Sequence, residues 1–422
     1  MTNLGKIISH KDYENFAGPD WPSYQSIIDQ QHITNNDIQN EVDNFVMLMK
    51  QTYQELTLPG SELAASNQQR QNQIFFDKKK VNIDQRCSVP WNTLGINSNG
   101  EIFICVSPSW IPKFVGNIQK INNIYEALNS ETALQIRNEI VNNRYFYCNN
   151  QICNFFKNTP SELYNTEPDD HQSLVALPPS IDDQLHVTAI PGDLIFDFDY
   201  TCNFKCPSCR TELINNNKHH VIRKINDNIV DKIKTLVIDQ IENQPISIRW
   251  CGGEPFISES YLTLMNYILD TGKTNIKHII QTNGSYLKSK QDLLQKLLPS
   301  TQEVRISFDA ATAATYHKIR VNGQWNLLLD NVRWFQQFVT KNNFPTQVSA
   351  DFVVQSDNYR EIPLFVELCA QLGIDHINFQ KMWNWGTWPK DIFDSKNVYN
   401  PQHPNFPELQ DIFKQINREI VL

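Results

Sequence analysis

Between residues 194 and 385, short apolar runs alternate with longer stretches in which apolar residues recur every three to four positions. These are the periods of a buried strand and of an amphipathic helix. Six runs are predicted as strands: Leu194–Phe198, Ile246–Trp250, Lys277–Gln281, Val304–Phe308, Val348–Val354 and His376–Gln380. Between them fall predicted helices. The first carries Ile229, Ile233, Leu236 and Val237; the second carries Tyr261, Leu264, Met265 and Ile268, with Ser258 as its cap and Gly272 past its end. A third reaches Arg320, a fourth buries Ile362, Phe365, Leu368, Cys369 and Leu372 and stops at Gly373, and a last one begins near Phe406. Strand, helix and strand in this order build a parallel sheet, so the class is α/β.

The pattern upstream is different. The stretch Phe16 to Tyr24 holds prolines that exclude regular helix, and a helix is predicted after it, capped by Asn36, with Ile38, Val42, Phe45, Val46 and Met49 on one face. Residues 66–73 have too little apolar content to pack and read as an exposed connection. Asn99-Gly100 signals a hairpin whose strands draw Cys87 and Cys105 together. Two helices follow, around Ile124 to Leu128 and from about Glu131 to Val141, and then Cys148 and Cys153. From Thr159 to about Pro191 the chain is rich in Pro, Asp and Ser, as a linker is. The expected division is a helical region over 1–80, a small α+β cluster-binding domain over 81–160, a linker over 161–190 and the α/β domain over 191–422.

Composition narrows the function. The chain has 422 residues, 37 basic against 46 acidic, for a net charge of -9, so nucleic acid is not an expected partner. No run of 18 apolar residues occurs and the first ten residues lack the apolar core of a signal peptide, so a cytoplasmic protein without a membrane span is expected. The nine cysteines fall as four (Cys87, Cys105, Cys148, Cys153), three (Cys202, Cys206, Cys209) and two singles (Cys251, Cys369). That grouping suits metal ligation in a reducing compartment better than disulfides.

The group of three is the sharpest signal. Spaced C-x3-C-x2-C on a loop released by the first predicted strand, three thiolates can converge on one iron-sulfur cluster and leave its fourth iron without a protein ligand. A zinc knuckle would need a fourth ligand, and no nearby His or Cys supplies one. The group of four suffices for a fully ligated cluster or for a structural zinc. At the end of the second strand, Gly252 and Gly253 allow close backbone approach and Glu254 offers a carboxylate to an ammonium group; Cys251 reads as a buried strand residue. Thr282, Asn283, Ser307 and Asp309 stand at the carboxyl ends of parallel strands, where ligands bind, although turn and cap chemistry favours the same residue types. Trp383, Trp385 and Trp388 follow the last strand and can either floor a substrate cleft or pack beneath their own loop.

The three-cysteine loop, with Gly-Gly-Glu one strand later, resembles the radical S-adenosylmethionine (radical SAM) family over about residues 191 to 385. The resemblance implies a partial (β/α)6 TIM-like barrel and a [4Fe-4S] cluster on Cys202, Cys206 and Cys209, with SAM chelating its open iron. Gly252, Gly253 and Glu254 then serve the methionyl amine, Ser307 and Asp309 the ribose or substrate, and Arg320 the carboxylate, with Thr282 and Asn283 beside them as cofactor-binding residues. Ser208 stands where the family usually has an aromatic. Cys87-x12-Gly100-x4-Cys105 resembles the opening of the SPASM/twitch auxiliary-cluster domain, which implies a second [4Fe-4S] cluster on Cys87, Cys105, Cys148 and Cys153. Here that module precedes the barrel.

The expected function is reductive cleavage of SAM to a 5′-deoxyadenosyl radical that abstracts hydrogen from a substrate, a peptide or protein being modified. A flavodoxin- or ferredoxin-like protein is expected to supply the electron. The alternatives are a small-molecule or nucleotide substrate in cofactor biosynthesis, and a non-catalytic iron-sulfur electron relay.

Overall fold

The computed structural model of the chain describes residues 87–142, 145–149, 185–374 and 376–419. The predicted helix after Asn36, the connection over 66–73, the 161–184 part of the linker and Cys153 lie outside the described residues. The chain divides into two compact units.

The first unit holds the described residues up to 149, 185–191 and Asn216–Ile241. Strands β1 (Thr93–Asn97) and β2 (Glu101–Phe103) form the expected antiparallel hairpin, with Ile96 opposite Ile102. Its turn is made by the Asn97 side chain, whose Oδ1 accepts from the Asn99 and Glu101 N–H groups at 3.0 Å each, and by Gly100 at φ +73°. Strand β3 (Gly116–Asn117) adds to β2. Helix α1 (Ile124–Leu128) starts in a capping box between Asn123 and Glu126, and α2 (Glu131–Val141) is capped by Ser130, both at the residues where sequence placed them. The fully buried Arg137 of α2 donates to the carbonyls of Pro90 (3.0 Å), Leu128 (2.7 Å) and Leu185 (2.9 Å), and so ties three separate segments together. Burial lowers its pKa only to about 10, so it remains a cation.

Helix α3 (His220–Ile233), which continues as a π-helical turn over Lys234–Ile238, also belongs to this unit. Ile222, Ile225, Ile229 and Ile233 bury its inner stripe. Asn228 Nδ2 donates to Gln119 Oε1 at 2.9 Å and Lys232 Nζ to the Ile121 carbonyl at 2.9 Å.

The second unit is a parallel sheet in which each strand pairs with the next in chain order, the winding that (β/α) barrels use. Its strands are β4 (Asp193–Asp197), β5 (Ile246–Trp250), β6 (Ile276–Thr282), β7 (Thr301–Ser307), β8 (Gln347–Val354) and β9 (His376–Lys381). The class is α/β, as expected, and a partial barrel is compatible with this order. Helices α4 (Glu259–Asp270), α5 (Gln291–Leu297), α6 (Ala313–Ile319), α7 (Trp325–Lys341), α8 (Ile362–Leu372), α9 (Lys390–Lys396) and α10 (Phe406–Glu419) connect and follow them. The 17-residue α7 is absent from the sequence reading although its buried Leu328, Val332, Phe335 and Val339 keep helical spacing. Cys369 is fully buried in the apolar stripe of α8, as expected, whereas Cys251 lies just past β5 and is only half-buried. Beyond β9, Trp385 is 54% exposed.

Along β5, buried Ile246, Ile248 and Trp250 alternate with half-buried Ser247 and Arg249, so one face of the sheet is apolar and the other polar. On β8, buried Asp351 accepts from Asn378 Nδ2 at 3.0 Å and Gln281 Nε2 at 3.3 Å. Burial, against the pull of Arg305, pushes its carboxyl up to about 6. A raised carboxyl pKa makes the fold most stable while Asp351 is protonated: the contribution is complete below about pH 4 and is lost as pH rises through about 6. Asp351→Asn is expected to remove that slope, worth about 3 kcal/mol. Thermal unfolding of both proteins between pH 4 and 7 checks it, and parallel profiles would refute it.

Candidate radical SAM site

Strand β4 ends at Asp197 and hands the chain to the cysteine loop. Asp199 starts the turn: its Oδ1 accepts from the Thr201 N–H (3.0 Å) and hydroxyl (2.8 Å), and its Oδ2 from Ser258 Oγ. The loop is then tied at both flanks, Cys202 N–H to the Ile214 carbonyl at 2.9 Å and Lys205 N–H to the Val321 carbonyl at 3.0 Å. A turn at Cys206, whose carbonyl accepts from the Cys209 and Arg210 N–H groups, brings the second and third cysteines round together.

Each of the three sulfurs faces N–H donors. Cys202 Sγ receives Phe204 N–H at 3.4 Å and Asn283 Nδ2 at 3.9 Å, Cys206 Sγ receives Arg320 Nη1 at 3.7 Å, and Cys209 Sγ receives Arg210 Nη2 at 3.5 Å. Burial pushes the Cys202 thiol up to about 11 and raises that of Cys206, so iron must displace their protons on binding. Among the described residues no group of three or more His, Cys, Asp or Glu gathers round one metal ion. Three sulfurs with donors and two guanidiniums beside them fit an anionic iron-sulfur cluster, whose thiolates are stabilised by such hydrogen bonds.

The Gly-Gly-Glu segment packs directly on this loop. A Cβ on Gly253 would fall 2.1 Å from the Thr201 carbonyl oxygen, and one on Gly252, at φ +96°, would fall 2.6 Å from Asp197 Oδ1. The N–H groups of Gly253 and Glu254 donate to the carbonyls of Asp199 (3.1 Å) and Thr201 (2.7 Å). The close approach that sequence assigns to a ligand is thus made first to the chain's own loop. Buried Glu254 likewise has protein donors on both oxygens: Thr282 Oγ1 and Asn283 N–H at 2.7 Å each, and Phe256 N–H at 3.2 Å. Burial pushes its carboxyl up to about 7 against these bonds. Glu254 fastens the end of β6 to the loop after β5, and through Asn283 it reaches Cys202.

Ser307 ends β7 and is buried. Asp309 takes a left-handed φ of +58°, its Oδ1 accepts from Val353 N–H at 2.7 Å, and its Oδ2 pairs with Arg320 Nη2 at 2.7 Å. Arg320 therefore spans Asp309 and Cys206, while its buried Nε has no partner among the described residues. The Tyr316 hydroxyl nearby is also buried without a partner among the described residues, and Tyr316 lines a cleft of about 300 Å³ beside the cysteine loop, with Asn203, Phe204 and Asn283. The second unit thus gathers Cys202, Cys206, Cys209, Gly252, Gly253, Glu254, Thr282, Asn283, Asp309 and Arg320 in one hydrogen-bonded set. The sequence reading misses Arg210 and Tyr316; Arg210 directly follows the third cysteine, which was the available signal.

In the first unit Cys105 and Cys148 are buried and Cys87 is half-buried. No helix among the described residues is long and apolar enough to cross a membrane.

Comparison with known proteins bears on both units. Residues 198–354 match the model of the radical SAM superfamily, and residues 87–154 match that of SPASM, an iron-sulfur cluster-binding domain. Curated relatives include a "Probable GTP 3′,8-cyclase" of Saccharolobus islandicus and another of Saccharolobus solfataricus, 26% and 25% identical over 190 residues. The match spans 44% of this chain and 55% of theirs, so the chain covers about half the length of these relatives. Among solved structures, Streptococcus suis SuiB bound to precursor peptide SuiA gives a TM-score of 0.30 at 18% identity, over 46% of this chain and 40% of that one. Native anSMEcpe with bound AdoMet and Cp18Cys peptide gives 0.32 at 18% identity, over 45% and 51%. The cofactors that go with the two matched domains are iron-sulfur clusters and S-adenosylmethionine, as the family resemblance implies. The chain thus carries a radical SAM domain over 198–354 and, N-terminal to it in sequence, a SPASM domain over 87–154.

Proposed function

We propose that the protein is a radical SAM enzyme that abstracts hydrogen from a peptide or protein undergoing modification. The observation that carries this reading is the cysteine loop, with three sulfurs each met by N–H donors and no fourth cysteine in the loop. When bound, the cluster and SAM supply one-electron chemistry that yields a 5′-deoxyadenosyl radical. The chain's part is to hold and orient. Cys202, Cys206 and Cys209 would hold the cluster, in a loop that has no fourth cysteine to close it against SAM. Thr282 and Asn283 hold Glu254 in place, and Gly252, Gly253 and Glu254 would serve the methionyl amine. Arg320, whose buried Nε has no partner among the described residues, would offer a donor to the SAM carboxylate, and Ser307 and Asp309 would serve the ribose or substrate.

Cys87, Cys105, Cys148 and Cys153 hold an auxiliary [4Fe-4S] cluster, and a flavodoxin- or ferredoxin-like protein delivers the electron. A SPASM domain in the same chain as a radical SAM domain favours a peptide or protein substrate. The GTP 3′,8-cyclase relatives favour a second reading, a nucleotide or other small molecule in cofactor biosynthesis.

The test is anaerobic reconstitution of the full chain with iron and sulfide, followed by SAM and dithionite. Formation of 5′-deoxyadenosine is expected, and an iron-loaded chain that forms none is not a radical SAM enzyme. Mass spectrometry of peptides and nucleotides incubated with the turning-over enzyme then separates the two substrate classes.

A further inference from the structure

Arg210 is 8% exposed, and its guanidinium donates to the Tyr200 carbonyl at 2.8 Å, the Gly252 carbonyl at 3.3 Å and Cys209 Sγ at 3.5 Å. Among the described residues no carboxylate forms an ion pair with it; Asp197 senses its charge from farther away. A buried cation without a counter-anion is costly, and the carbonyls carry no net charge. The ligand sulfur is therefore the one acceptor it touches that can carry a full negative charge. Arg320 provides a contrast in the same site: it touches Cys206, but the Asp309 carboxylate at 2.7 Å offsets its charge.

We propose that Arg210 sets the reduction potential of the cluster held by Cys202, Cys206 and Cys209, while its two carbonyl contacts fix Cys209 against the Gly252 backbone. This rests on the radical SAM reading and adds to it a positioning residue outside the cysteine and Gly-Gly-Glu motifs. Reduction brings one electron from an external donor, and so one more negative charge, to the cluster and its thiolates. A fixed cation at hydrogen-bond distance from a ligand sulfur favours that more negative state and raises the potential.

The test is an EPR-monitored dithionite titration of the reconstituted full chain in the wild-type, Arg210→Gln and Arg210→Lys forms. Gln keeps a donor and removes the charge, whereas Lys keeps the charge and loses the fork. In Arg210→Gln the ratio of reduced to oxidised cluster at a fixed ambient potential is expected to fall about tenfold, ~59 mV for a one-electron couple. Arg210→Lys should stay close to wild type. A Gln variant at the wild-type potential, equal shifts in both variants, or loss of iron from both would overturn the proposal. If only Gln fails to load, the Lys variant decides: an unchanged potential supports the proposal and a tenfold fall overturns it. A wild-type chain that takes up no [4Fe-4S] cluster would refute the radical SAM reading itself, before Arg210 is altered.

Discussion

Cys206→Ala is expected to abolish 5′-deoxyadenosine formation and to strip iron from the loop after β4, with a loss well beyond the ~100-fold that outer-sphere changes cause at metal sites. Cys206 is the central cysteine of the three, is buried, and receives Arg320 on its sulfur, so its removal also leaves that guanidinium without an acceptor on the loop. Cys369→Ala is the control. That thiol is fully buried among apolar residues of α8, and its replacement should lower stability modestly while leaving the SAM-dependent signal in place. Iron content and product yield of the two variants, measured side by side, separate a ligand from a core cysteine. Equal yields would show that Cys206 holds no cluster.

Gly253→Ala is expected to cost about 3 kcal/mol and to lower iron loading with it. The added methyl would lie 2.1 Å from the Thr201 carbonyl oxygen and 2.7 Å from the Tyr200 carbonyl carbon, both backbone atoms one or two residues before Cys202. Neither can move without shifting Cys202. Gly272→Ala offers the comparison, because nothing lies within 4 Å of the new Cβ there. It retains only the strain of a left-handed φ of +67°, about 1–2 kcal/mol. Chemical unfolding and iron analysis of both variants check the difference, and a Gly253→Ala protein as stable as Gly272→Ala would contradict the steric account.

These two substitutions also mark where sequence reasoning succeeds and where it stops. Cysteine spacing is a local property, so the loop at 202–209 is legible from the chain alone, as are α1 and α2, whose caps at Asn123 and Ser130 are residues that N-terminal N–H groups require. The polar ends of β6 and β7 are legible as positions, since parallel strands deliver their C-terminal residues to one edge. What each residue touches there is not legible. That Thr201 lies against Gly253, and that Thr282, Asn283 and Phe256 donate to Glu254, is visible only in the fold. Arg210 carries no motif of its own. Its place depends on the loop folding back so that Tyr200 and Gly252, far apart in sequence, present carbonyls to one guanidinium.

The backbone at Asp309 limits how this chain can drift in evolution. A left-handed turn is open at low cost to Gly, Asn and Asp, and of these only Asp keeps a negative group opposite Arg320. Two independent demands, one on the main chain and one on charge, thus leave a single amino acid that meets both. A descendant with Gly or Asn at 309 would keep the path from β7 to α6 and give up the charge opposite Arg320, and one with most other residues would strain that path.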